Sequence, residues 1–371
     1  KVTPSHQESR NVPNHCLPAT RNSLKTPSPL IYMTTHQLLI GTYTRDASNG
    51  IYHATLDAKS GLLTLGGLAA KTESPAFLTQ FRNTIYTVNE LDPGRVSAFR
   101  LREGNLEFLN SVSSGGTFPC HLLATENWLA VANYSSGSVA TFALDTNGTI
   151  GNRVDFAQHQ GGGPNPQRQT GPKAHQTFLT TSGDLLVPDL GNDRLYKYRP
   201  DATGTFSQDP KITQLSAGVG PRHVDQHPNL PVLYVINELA NTINVIRWEN
   251  NVQARIQQSV STLPADFDSI SHTAEIAVAP DGRHVYGSNR GADTIVTFSV
   301  DDAGNLLVPG HVPTLGKHPR HFSIDPSDNW LLIANQASNN VVVYGLEDGR
   351  PINAVCEIFA PTPVCLHFVD A

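Results

Sequence analysis

The chain has 371 residues, of which 16% are charged and 39% hydrophobic, and its net charge is −6. That balance argues against a nucleic-acid or anionic-membrane partner, and no apolar run approaches the roughly 20 residues that a membrane helix requires. The four cysteines (Cys16, Cys120, Cys356, Cys365) lack metal-site spacing and are too sparse for a disulfide scaffold, so no metal is expected.

Residues 1–36 are polar and rich in Pro, Ser, Asn and Thr, without periodicity, and are expected to form a disordered or non-native extension. They lack the apolar centre of a signal peptide, and a cytoplasmic location is expected. Met33, the only methionine, stands just before the first strand pattern, HQLLIGTYT, and is the expected start of translation.

From residue 37 to 371 one unit recurs. Its clearest copy is PRHFSIDPSDNWLLIANQASNNVVVY (319–344). A Pro opens an alternating strand, Pro-Ser-Asp-Asn reverses the chain, WLLIAN forms a second strand, and a second turn leads into VVVY. The second strand and its turn reappear as LLIGTYTRDASNG, IYTVNELDPG, LAVANYSSGS, LLVPDLGND, LYVINELANT and VYGSNRGADT, which with LLIANQASNN makes seven. From Asn89 onward the residue ending each second strand recurs at steps of 44, 56, 48, 52 and 46 residues. A period near 50 built of short strands predicts an all-β, seven-bladed β-propeller. The first repeat lacks its innermost strand, and PTPVCLHFVD (361–370) matches the missing piece. The two ends of the chain are therefore expected to share blade one and close the ring.

One insertion breaks the rhythm. HQGGGPNPQRQTGPKAHQ (159–176) carries no strand signal and runs directly into an innermost strand, which places it on the face where those strands begin.

Aligning innermost strands on the residue ending the second strand gives a ring of equivalent positions, His175, His223, Glu275 and His321. In two blades with shorter turns the motif itself gives Phe77 and His121, and Cys365 takes the place in the closing strand. One residue earlier lie Cys120, Arg222, Arg320 and Val364, and the turns after the second strands supply Glu90, Tyr134, Leu190, Glu238, Arg290 and Gln336. All should meet at one mouth of the central channel. Charges there need partners, and Glu238 with Arg222 or Arg290 is the expected ion pair. A His repeating at one offset is also what a repeat-wide structural device produces, so His121, His223 and His321 weigh toward blade-to-blade hydrogen bonding. Residues that depart from the repeat (His175, Arg222, Glu238 and Arg290) weigh toward catalysis. Arg320, His223, Glu275, Glu90 and His121 are the expected substrate-binding wall. Asp189, standing where other blades have Asn, fits either role.

With these segments, and above all GGGPNPQRQTGPKAHQ, GVGPRHVDQHP, YVINELANTINV and TAEIAVAPDGRHVYGSNRGADTI, the chain resembles the seven-bladed propeller lactonases. That family includes bacterial-type 6-phosphogluconolactonases and the fungal 3-carboxy-cis,cis-muconate lactonizing enzyme. The resemblance implies a His, two Arg and a Glu at the channel mouth, which fall by motif on His175, Arg222, Arg290 and Glu238, and no cofactor. It implies a small anionic lactone as substrate, 6-phosphogluconolactone first. Carboxymuconate cycloisomerisation is the alternative, and a non-catalytic interaction platform is the alternative of another class. Lys173 and Ala292 depart from the family pattern where relatives often carry His. His175, oriented by Glu238, is the expected general base and acid.

Overall fold

A computed structural model describes residues 35–45, 47–102, 104–206, 209–249 and 253–370. Residues 1–34, and with them Met33 and nearly all of the expected extension, lie outside the described residues.

Among the described residues the strands form seven four-stranded antiparallel sheets. The template holds: its strands run Pro319–Ile324, Trp330–Asn335 and Asn340–Glu347, followed by an outermost strand, Arg350–Phe359. Blade one is shared as expected. Pro363–Phe368 supplies its innermost strand and pairs with Thr35–Thr42, in the register Leu38↔Phe368 to Gly41↔Cys365.

The core lies between blades. Second strands such as Trp128–Asn133 and Val232–Asn237 are buried along their whole length, because a neighbouring blade covers each face. That is why they read as continuous apolar runs rather than alternating ones. Leu38 and Ile40 of blade one pack against Leu332, Ala334, Val341 and Ile358 of blade seven. At about 1.5–3 kcal/mol for each large apolar side chain buried, this seam is a substantial part of ring stability. Removing residues 363–370 is therefore expected to abolish cooperative unfolding by near-UV circular dichroism, and a truncated chain that melted like the full one would contradict the shared-blade account.

Two local devices position the channel mouth. The residue before the innermost-strand Pro adopts a left-handed conformation in five blades: Ser74, Phe118, Gly220, His318 and Thr362, with φ between 40° and 62°. This costs a non-glycine residue roughly 1–2 kcal/mol. It turns that residue's carbonyl toward the next turn, where it accepts the N–H of Glu90, Tyr134, Glu238, Gln336 and Tyr43, respectively. The turn residues and the innermost strands are thereby locked together at the mouth. Second, in five blades the Asn at the end of the second strand (Asn89, Asn133, Asn237, Asn289 and Asn335) is buried and ties in the strand that follows it or the connector entering its blade. Asn133 donates to the Ser114 carbonyl, Asn289 to that of Thr262, and Asn335 to that of Thr314.

Blade four departs from this. The long loop replaces its connector, and its innermost strand is reduced to a bridge between Ala174 and Asp189 and a short Phe178–Leu179 segment. Asp189 accepts where Asn would donate: from the Lys173 N–H at 2.6 Å, the Gly191 N–H at 2.9 Å and His159 Nδ1 at 2.6 Å. The acid is a structural answer to a connector that offers donors.

Candidate active site

Glu238 is the electrostatic centre of the mouth. Its carboxylate is held by three guanidinium groups: Arg290 Nη2 at 2.8 Å from Oε2, Arg222 Nε at 3.3 Å from the same oxygen, and Arg168 Nη2 on Oε1. Burial would raise its pKa, but Arg290, Arg222 and Arg168 together hold it far below the usual carboxylate range. Glu238 follows the second strand of blade five, Arg222 stands on the innermost strand of the same blade, and Arg290 ends the second strand of blade six. Gly291 lets the chain leave Arg290: its φ is 112°, and a Cβ there would stand 2.3 Å from the Ile270 carbonyl oxygen.

Both expected partners of Glu238 are therefore in place. The cluster keeps an unspent donor as well: the buried Nε of Arg290 has no hydrogen-bond partner among the described residues, whereas Arg222 Nε is turned to Glu238 in the ion pair. Arg222 Nη1 donates to the Ala274 carbonyl at 2.5 Å and Arg290 Nη2 to that of Thr273 at 2.7 Å, which fixes both guanidinium planes. Burial, with Arg290 and Arg320 nearby, brings the Arg222 pKa down to about 10, still cationic at neutral pH.

His175 sits beside this cluster, 4% exposed. Its ring lies 5.3 Å from that of Tyr134 and 5.2 Å from that of His223, and its Nδ1 is 3.7 Å from Cys120 Sγ. Burial, then the charge of Arg222 and the neighbouring His223, pushes the imidazole well below its ordinary pKa, so it is uncharged at neutral pH. The expected orientation of His175 by Glu238 is not what the structure shows. Three cations occupy the carboxylate, and a neutral imidazole cannot compete with them for it. Backbone and thiol hold His175 instead: its N–H donates to the Pro188 carbonyl, while its own carbonyl accepts from the buried Cys120 thiol at 3.2 Å.

The remaining ring residues also converge. Arg320 faces Glu90 across 3.7 Å and lies 5.3 Å from the Tyr43 ring centroid, and the Tyr43 hydroxyl donates to Glu90 at 2.7 Å. One step deeper along the axis, each histidine reaches the next blade. His121 Nδ1 is 3.3 Å from Thr177 Oγ1, His223 Nδ1 is 2.8 Å from Glu275 Oε1, and His321 Nδ1 accepts from the Leu366 N–H at 3.3 Å. Glu275 also stands 3.5 Å from His321 Nε2, and burial raises its pKa despite His321 and Arg222. The blade-to-blade bonding anticipated for the histidines is present in all three. Phe77 fills the centre, its ring 3.9 Å from that of His121 and 5.7 Å from that of His321.

Two residues escaped the sequence reading. Tyr43 occupies in blade one the turn position that Glu90 and Glu238 hold in theirs, and extending the same offset to the first repeat would have found it. Arg168 lies in the insertion, where no repeat register applies. Among the described residues no group of three or more His, Cys, Asp or Glu is gathered to hold a metal ion, and no helix is long and apolar enough to cross a membrane.

Comparison with known proteins supports the geometry. The family model "Lactonase, 7-bladed beta-propeller" matches residues 37–368. A 6-phosphogluconolactonase of Bacillus subtilis is 35% identical over 350 residues, covering 91% of this chain and 99% of that protein. One from Formosa agariphila is 32% identical over 324 residues, covering 83% and 91%. A periplasmic gluconolactonase of Pseudomonas aeruginosa superposes with a TM-score of 0.85 at 28% identity, covering 91% of this chain and 99% of that one. A closed seven-bladed ring with an arginine-rich mouth, matched by that family along nearly its whole length, leaves the interaction-platform reading without support: the chain belongs to the seven-bladed β-propeller lactonases and is an enzyme of that family.

Proposed function

We propose that the protein hydrolyses 6-phosphogluconolactone to 6-phosphogluconate at the mouth formed by His175, Arg222, Glu238 and Arg290. The observation that carries this is the charge balance: one carboxylate faces three guanidinium groups beside a neutral, buried imidazole. The surplus positive charge favours an anionic substrate, and the names of the relatives point to a phosphorylated sugar lactone.

In this reading His175 takes a proton from water as its oxygen attacks the lactone carbonyl. The free Nε–H of Arg290, with the charge of Arg222 beside it, receives the oxyanion that forms. Collapse breaks the bond to the ring oxygen, His175 returns the proton to that oxygen, and the new carboxylic acid ionises, releasing one proton to solvent. Glu238 keeps the two arginines in register without touching the reacting atoms. Arg320, with Glu90 and Tyr43, closes the opposite side of the mouth. His223, Glu275 and His121 form its floor.

The test is acid release by the purified protein from 6-phosphogluconolactone, read against spontaneous hydrolysis. We expect a large acceleration and an acid limb of kcat/KM below pH 6.5, because burial and Arg222 depress the His175 pKa. A rate no greater than buffer alone would end the proposal, and cyclisation of carboxymuconate in its place would move the chemistry to the cycloisomerase alternative.

A further inference from the structure

The insertion 159–176 is a built element rather than a slack connection. Asn165 Oδ1 accepts the N–H groups of Gln167 and Arg168, both at 3.0 Å. The buried Gln169 side chain donates to the Leu190 carbonyl at 2.9 Å and to Asp193 Oδ1 at 2.7 Å, and accepts from the Asn165 N–H at 3.1 Å. These bonds pin the loop to blade four and fix where its cations stand. Arg168 Nη2 reaches the Tyr134 hydroxyl at 3.3 Å as well as Glu238. Five residues on, Lys173 Nζ lies 5.4 Å from the Tyr134 ring centroid and donates to the Ser135 carbonyl at 3.4 Å.

Tyr134 therefore links two places. Its ring contacts His175, and two loop cations bracket it. Depth separates the arginines: the side chains of Arg222 and Arg290 are 3% and 7% exposed, whereas that of Arg168 is 33% exposed. The deep pair is placed for a reacting carbonyl near His175. The outer cations stand where the far end of the same substrate would emerge past Tyr134.

We propose that Arg168 and Lys173, with the Tyr134 hydroxyl between them, form the subsite for the substrate's phosphate. The assignment rests on the lactone-hydrolysis reading above and divides the labour among the cations: buried arginines for the oxyanion, rim cations for the permanent charge. A phosphate near neutral pH carries about −1.5 to −2 charges and three acceptor oxygens. The two positive charges of the rim pair, Arg168 and Lys173, match it. A guanidinium supplies a planar two-pronged donor and an ammonium a point charge, a common pairing for phosphate. Glu238 keeps Arg222 and Arg290 when Arg168 turns to the ligand.

The experiment compares 6-phosphogluconolactone with unphosphorylated gluconolactone for the full chain and for Arg168→Met and Lys173→Met. Each variant is expected to lower the ratio of kcat/KM for the phosphorylated over the plain lactone by about 10- to 100-fold, mainly through KM, and to weaken competitive inhibition by inorganic phosphate. Lys173 does not touch Glu238, so its variant separates lost phosphate contact from a disturbed ion cluster. Arg168→Lys is expected to recover part of the ratio. An unchanged ratio in both methionine variants, or a wild type with no preference for the phosphorylated lactone, overturns the subsite while leaving the lactonase reading intact. A wild type inert toward both lactones overturns the reading itself.

Discussion

His175→Gln is expected to lower kcat on the phosphorylated lactone by about 10²- to 10⁴-fold, the usual worth of a positioned general base, with KM changed far less. Glutamine keeps a polar side chain of similar reach but cannot take up a proton from water. Because His175 is held by its own backbone and by Cys120, the variant should fold and melt close to the parent. The pH profile provides a second readout. The free enzyme's kcat/KM should stay on its plateau down through pH 6.5 and fall only below, as the depressed imidazole at last protonates. In the variant this limb should vanish. A variant with wild-type kcat, or one that retains the limb, would remove His175 from the mechanism.

The second large effect is on the fold as well as the chemistry. Glu238→Ala leaves Arg222 and Arg290 buried without their counter-charge, and breaking a buried charge cluster from one side typically costs about 3–5 kcal/mol. At roughly 2 °C per kcal/mol for a large domain, the melting temperature should drop by about 6–10 °C, and activity should fall with the loss of arginine register. The sign with pH follows from the depressed carboxyl pKa. The stabilisation from ionised Glu238 is fully present above its ordinary value of 4.5 and is lost only as the pH falls through the lower folded-state value. A variant whose melting temperature matched the parent at pH 7 would show that the ion cluster contributes nothing to the ring.

Much of this site could be read in the sequence because a repeat supplies its own coordinates. Once the residue ending the second strand fixed the register, counting back identified His175, His223, Glu275 and His321, and the Pro-led motif supplied Phe77, His121 and Cys365, without any three-dimensional information. The turn residues followed by the same count. What the count could not give was the partner of each side chain. Glu238 and His175 occupy neighbouring blades, and Glu238, besides pairing with Arg222 or Arg290, is expected from the sequence to orient His175. Only the geometry shows the carboxylate already taken by three cations, one of them Arg168. That arginine was invisible to the register because it belongs to a loop, and its position depends on the side chains of Asn165 and Gln169 rather than on strand pairing. The Asp189 exception was visible as a departure, but its cause, the donors of His159 and Lys173, lies in the same loop.

Closing the ring by pairing residues 38–41 with residues 365–368 has a consequence for how the chain is made. Every other blade can assemble from strands that leave the ribosome within seconds of one another, whereas blade one must wait for a partner more than 300 residues downstream, a delay of tens of seconds at ordinary rates of synthesis. Throughout that interval the apolar surface carrying Leu38 and Ile40, almost wholly hidden in the finished molecule, has no neighbour from blade seven. Newly made chains should therefore depend on chaperone occupancy of this N-terminal hairpin until the last strand arrives, and interrupted synthesis should yield insoluble product rather than a smaller working enzyme.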